Sequence, residues 1–357
     1  GDDWQKLQLN LPVVPINDLT IRDNDLIAAT SGRAFWILDD LSPLQQWTNA
    51  APPKPVLYAS KPAVKTGWSG PAKPALGANP PEGVSLYYYL PDVNDSSDVQ
   101  LSIKDAKCNL VRTYSNKKDE QEVTGYPGGP QAEALLPTEK GLNRFNWDLR
   151  HESLPGVKGQ FLNADYRGAS VPPGDYQVQL KVNNDSSSVA IKILADPRVA
   201  PQPDAFAEQY QLCSSIDATV RTMHTDVNRM RAVKKQVDDL NGLLKDRPES
   251  DTLIKTGKAL ANKIAAWEKQ IITTQQETFQ DVINYYNRLS AEMLDLRGRM
   301  ENAQHPKVPD GHKKVYQQLM NEWQGYKAAL EQIINNDLPA FNKLYKEKQI
   351  PAVILPK

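Results

Sequence analysis

The chain has 357 residues, 42 Lys and Arg against 43 Asp and Glu, and 27 prolines. That length exceeds what one ordinary core fills, so two or three domains are expected. The near-zero net charge excludes a global field for nucleic acid or an anionic membrane, and no apolar run approaches the roughly 20 residues of a transmembrane helix. The start at Gly1, with Asp2-Asp3-Trp4 behind it, reads as a fragment or a processed product. Cys108 and Cys213 are too far apart for a metal or redox motif. Two buried free thiols are expected of them, a disulfide being the alternative.

Residues 1–47 read as a four-stranded antiparallel meander. Trp4 to Leu11 alternates Leu7, Leu9 and Leu11, and Ile16 to Ile21 follows. Asp23-Asn24-Asp25 is a polar turn, then come Leu26 to Thr30, Ser31-Gly32-Arg33, and Ala34 to Leu38. So small a meander cannot bury both its faces, and it needs neighbours as one blade of a β-propeller does.

Ala28-Ala29-Thr30-Ser31-Gly32-Arg33-Ala34-Phe35-Trp36-Ile37-Leu38-Asp39-Asp40 resembles the end of the last blade in large bacterial propeller proteins. These are labelled sortilin-like, or glycosyl hydrolases with bacterial neuraminidase repeats. In that family such a segment is followed by a proline-rich crossing, a sandwich and a helical tail, and this chain follows the same order to its last residue. It departs from the family in lacking the aspartate-box hairpin: Gly32 and Trp36 are kept, with no Asp in the box position. The resemblance implies the C-terminal region of an exported protein, secreted, periplasmic or on the cell surface.

Residues 48–82 are the proline-rich crossing, with Pro52-Pro53-Lys54-Pro55 and Pro80-Pro81 favouring extended backbone. Val56-Leu57-Tyr58 and Trp68 are apolar anchors that should lay part of it against a domain. Residues 83–195 read as an immunoglobulin- or fibronectin-like β-sandwich. Its expected strands are Val84–Leu90, Val99–Lys104, Leu110–Tyr114, Gly141–Leu149, Tyr176–Val182 and Ser188–Leu194. In the fourth, Phe145, Trp147 and Leu149 alternate with polar residues. In the fifth, Tyr176, Val178 and Leu180 do so behind the turn Pro172-Pro173-Gly174-Asp175. Two long loops interrupt it, around Gly125–Pro130 and from Leu154 to Ala169.

Residues 196–357 read as an antiparallel bundle of four to five helices with an apolar tail. Steps of three and four run through Leu212, Ile216, Val220, Met223, Val227, Met230, Val233, Val237, Leu240 and Leu244. Asp246 to Ser250 breaks the pattern, and Ser250 or Asp251 can cap a second helix carrying Leu253, Leu260, Ile264, Trp267 and Ile271. A third helix is expected over about 279–303 and a fourth over about 312–334. Asn335-Asn336-Asp337 interrupts before a short fifth, Leu338 to Lys348. The tail from Ile350 to Leu355 is expected to dock on a neighbouring surface.

Chemistry is sparse. Glycoside cleavage needs two facing carboxylates. Adjacent Asp39 and Asp40 point apart as turn or cap residues, Asp148 is expected to pair with Arg150 or Arg144, and Asp175 is a turn residue. His305 and His312 lack metal-ligand spacing, and His151 and His224 stand alone. No catalytic, metal or cofactor-binding residue is assigned, and no cofactor is expected. Phe161, Tyr166 and Arg167 have the residue types of an interface hot spot, against ordinary packing as the plainer reading. The expected function is a non-catalytic structural and interaction region of an exported propeller protein. Its expected partners are upstream blades or another protein chain, with self-association as a further expectation. The alternatives are the accessory part of a propeller glycoside hydrolase whose carboxylates lie upstream, or a glycan-binding sandwich.

Overall fold

The structure is a computed structural model that describes residues 4, 6–48, 51–66, 80–94, 96–199, 203–247, 250–303 and 305–350. It is a mixed α and β protein, with sheets in its first part and a helical C-terminal region. The chain divides into two units. One holds residues 1–118, 134–150 and 172–199, and the other holds 119–133, 151–171 and 200–357. The second unit is therefore assembled from both long loops as well as from the helices.

In the first unit, β1 (Ile16–Arg22), β2 (Asp25–Thr30) and β3 (Phe35–Leu38) form a sheet in that order. Trp4 to Leu11, expected as a fourth strand, carries none among its described residues. Leu9 takes a positive φ of 46°, and the Leu11 amide closes a turn onto the Gln8 carbonyl at 2.9 Å. The Asp23-Asn24 turn has φ of 51° and 67°, conformations that short polar side chains tolerate. A short helix α1 (Ser42–Gln46) follows.

The crossing supplies β4 (Val56–Tyr58) and β5 (Ala63–Lys65). Trp68 and the tail residues 351–355 lie outside the described residues. Then come β6 (Val84–Leu90), β7 (Val99–Asp105), β8 (Leu110–Ser115), β9 (Gly141–Trp147), β10 (Gly174–Val182) and β11 (Asp185–Ala195). They make a five-stranded sheet ordered β5-β11-β10-β7-β8 and a three-stranded sheet ordered β4-β6-β9. All pairs are antiparallel except β5 with β11.

Period-two alternation buries Phe145 and Trp147 of β9, and Tyr176, Val178 and Leu180 of β10. Side chains of the two sheets meet edge to face: Trp147 on Tyr176 at 5.6 Å and Phe145 on Tyr114 at 4.5 Å between ring centroids. Gly83 admits no side chain, because its φ is +105° and a Cβ would lie 2.0 Å from the Trp147 carbonyl oxygen.

In the second unit, α2 (Pro203–Leu244), α3 (Asp251–Ile271), α4 (Leu289–Glu301), α5 (Asp310–Gln332) and α6 (Leu338–Glu347) share one apolar core. Ser250 precedes α3 but makes no side-chain capping bond. The third helix starts at Leu289 instead of near 279. Asp281 accepts the Glu277 and Thr278 amides at 2.8 Å each, which turns the chain into a single 3₁₀ turn at Asp281–Ile283. Local carboxylate bonds of this kind compete with the helical ladder.

Asn335-Asn336-Asp337 does not interrupt. Ile333–Asp337 is π-helical and runs directly into α6. Pro339 explains this, since it lacks the N–H for its helical bond and its ring crowds the carbonyl four residues back; a wider turn removes the clash.

Candidate functional site: a clamped loop and an uncovered sheet

Asp217, Arg221, His224, Asn228 and Arg231 of α2 follow one another in steps of four and three, so they form a polar stripe on one helix face. Each bonds the backbone of the 151–171 loop in turn. Arg221 donates to the Glu152 and Ser153 carbonyls at 3.1 and 3.0 Å, and His224 Nδ1 donates to the Pro155 carbonyl at 2.8 Å. Asn228 donates to the Gly156 carbonyl at 2.9 Å, and Arg231 to that of Lys158. At the other end of the stripe, Asp217 accepts the Ala169 amide.

Behind Asp217 lies Arg297 of α4, fully buried. It pairs with Asp217, donates to the Asp165 carbonyl, and stands 4.0 Å from a Glu301 oxygen. Glu301 in turn accepts the Ser170 amide at 2.7 Å. Gln160 reaches the Ser290 hydroxyl at 3.2 Å inside the unit. Burial pushes the Asp217 carboxyl above its ordinary value despite the Arg297 cation, and burial pulls the His224 imidazole down to about 4. The carboxylates here are occupied by backbone amides and a buried guanidinium. The arrangement holds a loop; it presents no acid–base pair to an open cavity.

Of the three residues marked by sequence, Tyr166 is buried in the helical core beside Leu154, Val157, Leu162 and Ala169, its hydroxyl pushed up by burial. Phe161 is half-buried, and its ring lies against Gly128, where a Cβ would come within 2.4 Å of it. Arg167 forks onto Asp165 of its own loop at 2.8 and 3.1 Å. The sequence reading missed the stripe that receives this loop, although its spacing was visible in α2.

The other singled-out residues have local structural roles. Asp40 is buried and accepts from the Ser42 amide and from Asn24 at 3.0 and 3.2 Å. Asp148 accepts from Arg112 of β8 at 3.2 Å, a partner distant in sequence. Asp175 faces Lys192 across the β10–β11 pair at 4.0 Å. His151 Nε2 and the Tyr210 hydroxyl are 2.7 Å apart. Cys108 is exposed, not buried as expected, because it sits in a tight turn with φ of 64°; Cys213 is buried, and the two are not joined in a disulfide. Among the described residues no His, Cys, Asp and Glu cluster could hold a metal, and no helix is long and apolar enough to cross a membrane.

The β1–β3 sheet is the uncovered surface. The register places Leu19, Ala28 and Trp36 across one face and Asp18, Ala29 and Phe35 across the other. Leu19 and Ile21 on the first face are 58 and 61% exposed, and Phe35 and Ile37 on the second are 74 and 59% exposed. A sheet with water on one side normally alternates apolar with polar residues; this one offers apolar residues to solvent on both. It is tethered through Lys61, 2.6 Å from Asp25, and through the Asn24–Ser42 bond at 2.9 Å. No protein family, curated protein or solved structure matches the chain.

Proposed function

We propose that the chain is a non-catalytic structural and interaction region of a larger exported β-propeller protein. In this reading β1–β3 is a blade that packs against further blades. The observation that carries it is the pair of apolar faces on the β1–β3 sheet, because a blade in a propeller is covered on both sides by its neighbours. In the same reading the two following sheets are an immunoglobulin-like sandwich and the helices an antiparallel bundle. The aromatic contacts between the sheets support the sandwich, as does a corner in which the Tyr176 hydroxyl donates to the Pro172 carbonyl at 2.7 Å.

Hydrogen exchange tests the blade. Amides of residues 16–38 are followed in this chain alone and in the polypeptide extended to its native N-terminus. At least tenfold slower exchange of β1 and β3 in the longer polypeptide is expected, with the effect lost in L19K/F35K. Equal rates, or a native start at Gly1, would overturn the reading.

A further inference from the structure

Between α3 and α4 the chain displays a second apolar surface, independent of the sheet. Within residues 279–286, Phe279 is 63% exposed, Ile283 83% and Tyr286 86%, with Val282 and Tyr285 also open to solvent. Such residues in one short segment are what interface anchors are made of. Their backbone is fixed in advance. Asp281 holds the Glu277 and Thr278 amides at 2.8 Å, buried Gln276 donates to the Tyr285 carbonyl at 2.6 Å, and buried Thr273 donates to that of Tyr286 at 3.1 Å. A loop held this way loses little conformational entropy on binding.

Asn287, the residue after Tyr286, borders a cavity of about 330 Å³ between α4 and α5. Its floor is Leu296, Val315 and Leu319, and its rim carries Glu292 and Asp295. Glu322 lies close enough to raise the Glu292 carboxyl, whose burial does most of that work. The loop adds Glu277 and Asp281, and the Asp281 carboxyl is held below its ordinary value by the two amides it accepts. Against these acids stand Arg288, Arg299 and the imidazole of His312 in the cavity lining, with Arg299 engaged by Asp295 at 2.7 Å. Loop and cavity together thus combine exposed apolar side chains with more carboxylates than guanidinium groups.

We propose that this loop and cavity dock a segment of another protein that presents an apolar face flanked by Lys and Arg. The charge selects the occupant. A second copy would set the acidic rim against itself, which costs affinity, whereas a basic rim complements it. An anionic bilayer is disfavoured by the same sign.

The probe is an amphipathic helical peptide of Leu and Lys, with Leu at helical three-and-four spacing, titrated into the full chain by calorimetry. A peptide with Glu replacing Lys, vesicles containing anionic lipid, and sedimentation of the chain alone serve as the other arms. Saturable binding of the Leu–Lys peptide is expected, weakened at least tenfold in F279S/Y286S and several-fold in E277Q/E292Q, and falling with salt. These positions are exposed or on the rim, and an unchanged circular dichroism spectrum shows that the variants fold. Equal binding by wild type and F279S/Y286S, binding of the Leu–Glu peptide or of vesicles, or dimerisation abolished by F279S/Y286S would overturn the proposal. So would no binding at all.

Discussion

At the scale of single residues, the buried charges of the clamp carry the largest energetic consequences. Arg297 pairs with Asp217 and stands 4.0 Å from Glu301. Removing one member of a buried ion pair leaves the others desolvated, which costs about 3–5 kcal/mol. R297L is therefore expected to lower the urea midpoint by that amount of stability with an unchanged slope; a change below about 1 kcal/mol would mean that water reaches the carboxylates. His224 gives a pH signature. Its folded value of about 4 lies below the ordinary 6.5, so between the two the unfolded chain binds more protons than the folded one. Stability should then fall as pH falls through that window, by about 3 kcal/mol in all. Asp217 works with the opposite sign, because its raised carboxyl protonates first in the folded state. Arg221 adds a smaller push in the direction of neutral His224. Comparing pH–stability profiles of wild type and H224Q isolates the histidine. The advantage of wild type at pH 7.5 should shrink towards pH 4.5, and parallel profiles would contradict a dry, neutral imidazole.

At the scale of elements, what could be read in the sequence divides by periodicity. The strands from Val84 to Ala195 were legible because alternation is a direct image of a sheet with one buried face, and their observed bounds fall within a few residues of those expected. The helices α2, α3 and α5 were legible for the same reason at a period of 3.6. Three elements failed where side chains overrode the pattern. Leu7, Leu9 and Leu11 alternate, yet a turn at Leu9 breaks the strand. The third helix was expected to start near 279, yet Asp281 ties the chain there into a loop. Asn335-Asn336-Asp337 looks like a break, yet Pro339 is met by a π turn instead. The clamp was half legible. Asp217, Arg221, His224, Asn228 and Arg231 announce a stripe, but a polar stripe on a long helix reads equally well as a solvated face. Only the loop lying on it distinguishes the two, and the loop's own apolar residues follow no period. Tyr166 was marked by its chemistry, and the sequence held nothing to tell an exposed anchor from a core residue.

At the scale of the molecule, the helical unit is discontinuous in sequence, and this has a testable consequence. Leu154, Val157, Leu162, Tyr166 and Ala169 belong to its core although they precede α2 by dozens of residues. The larger of these side chains each stabilise the unit by about 1.5–3 kcal/mol through burial. The same loop supplies the carbonyls and amides that satisfy Arg221, His224, Asn228, Arg231, Asp217 and Glu301. A fragment of residues 200–357 loses both contributions at once, and their sum is comparable to the whole stability of an ordinary domain. It should therefore keep much of its helical far-ultraviolet signal, since α2 and α3 are long, while losing its near-ultraviolet signal, binding a hydrophobic dye and melting without a sharp transition. The intact chain should show a cooperative transition for the same helices. If the fragment instead melts sharply within a few degrees of the intact chain, the loop is a passenger on a self-sufficient set of helices, and the stripe on α2 contributes nothing that water would not.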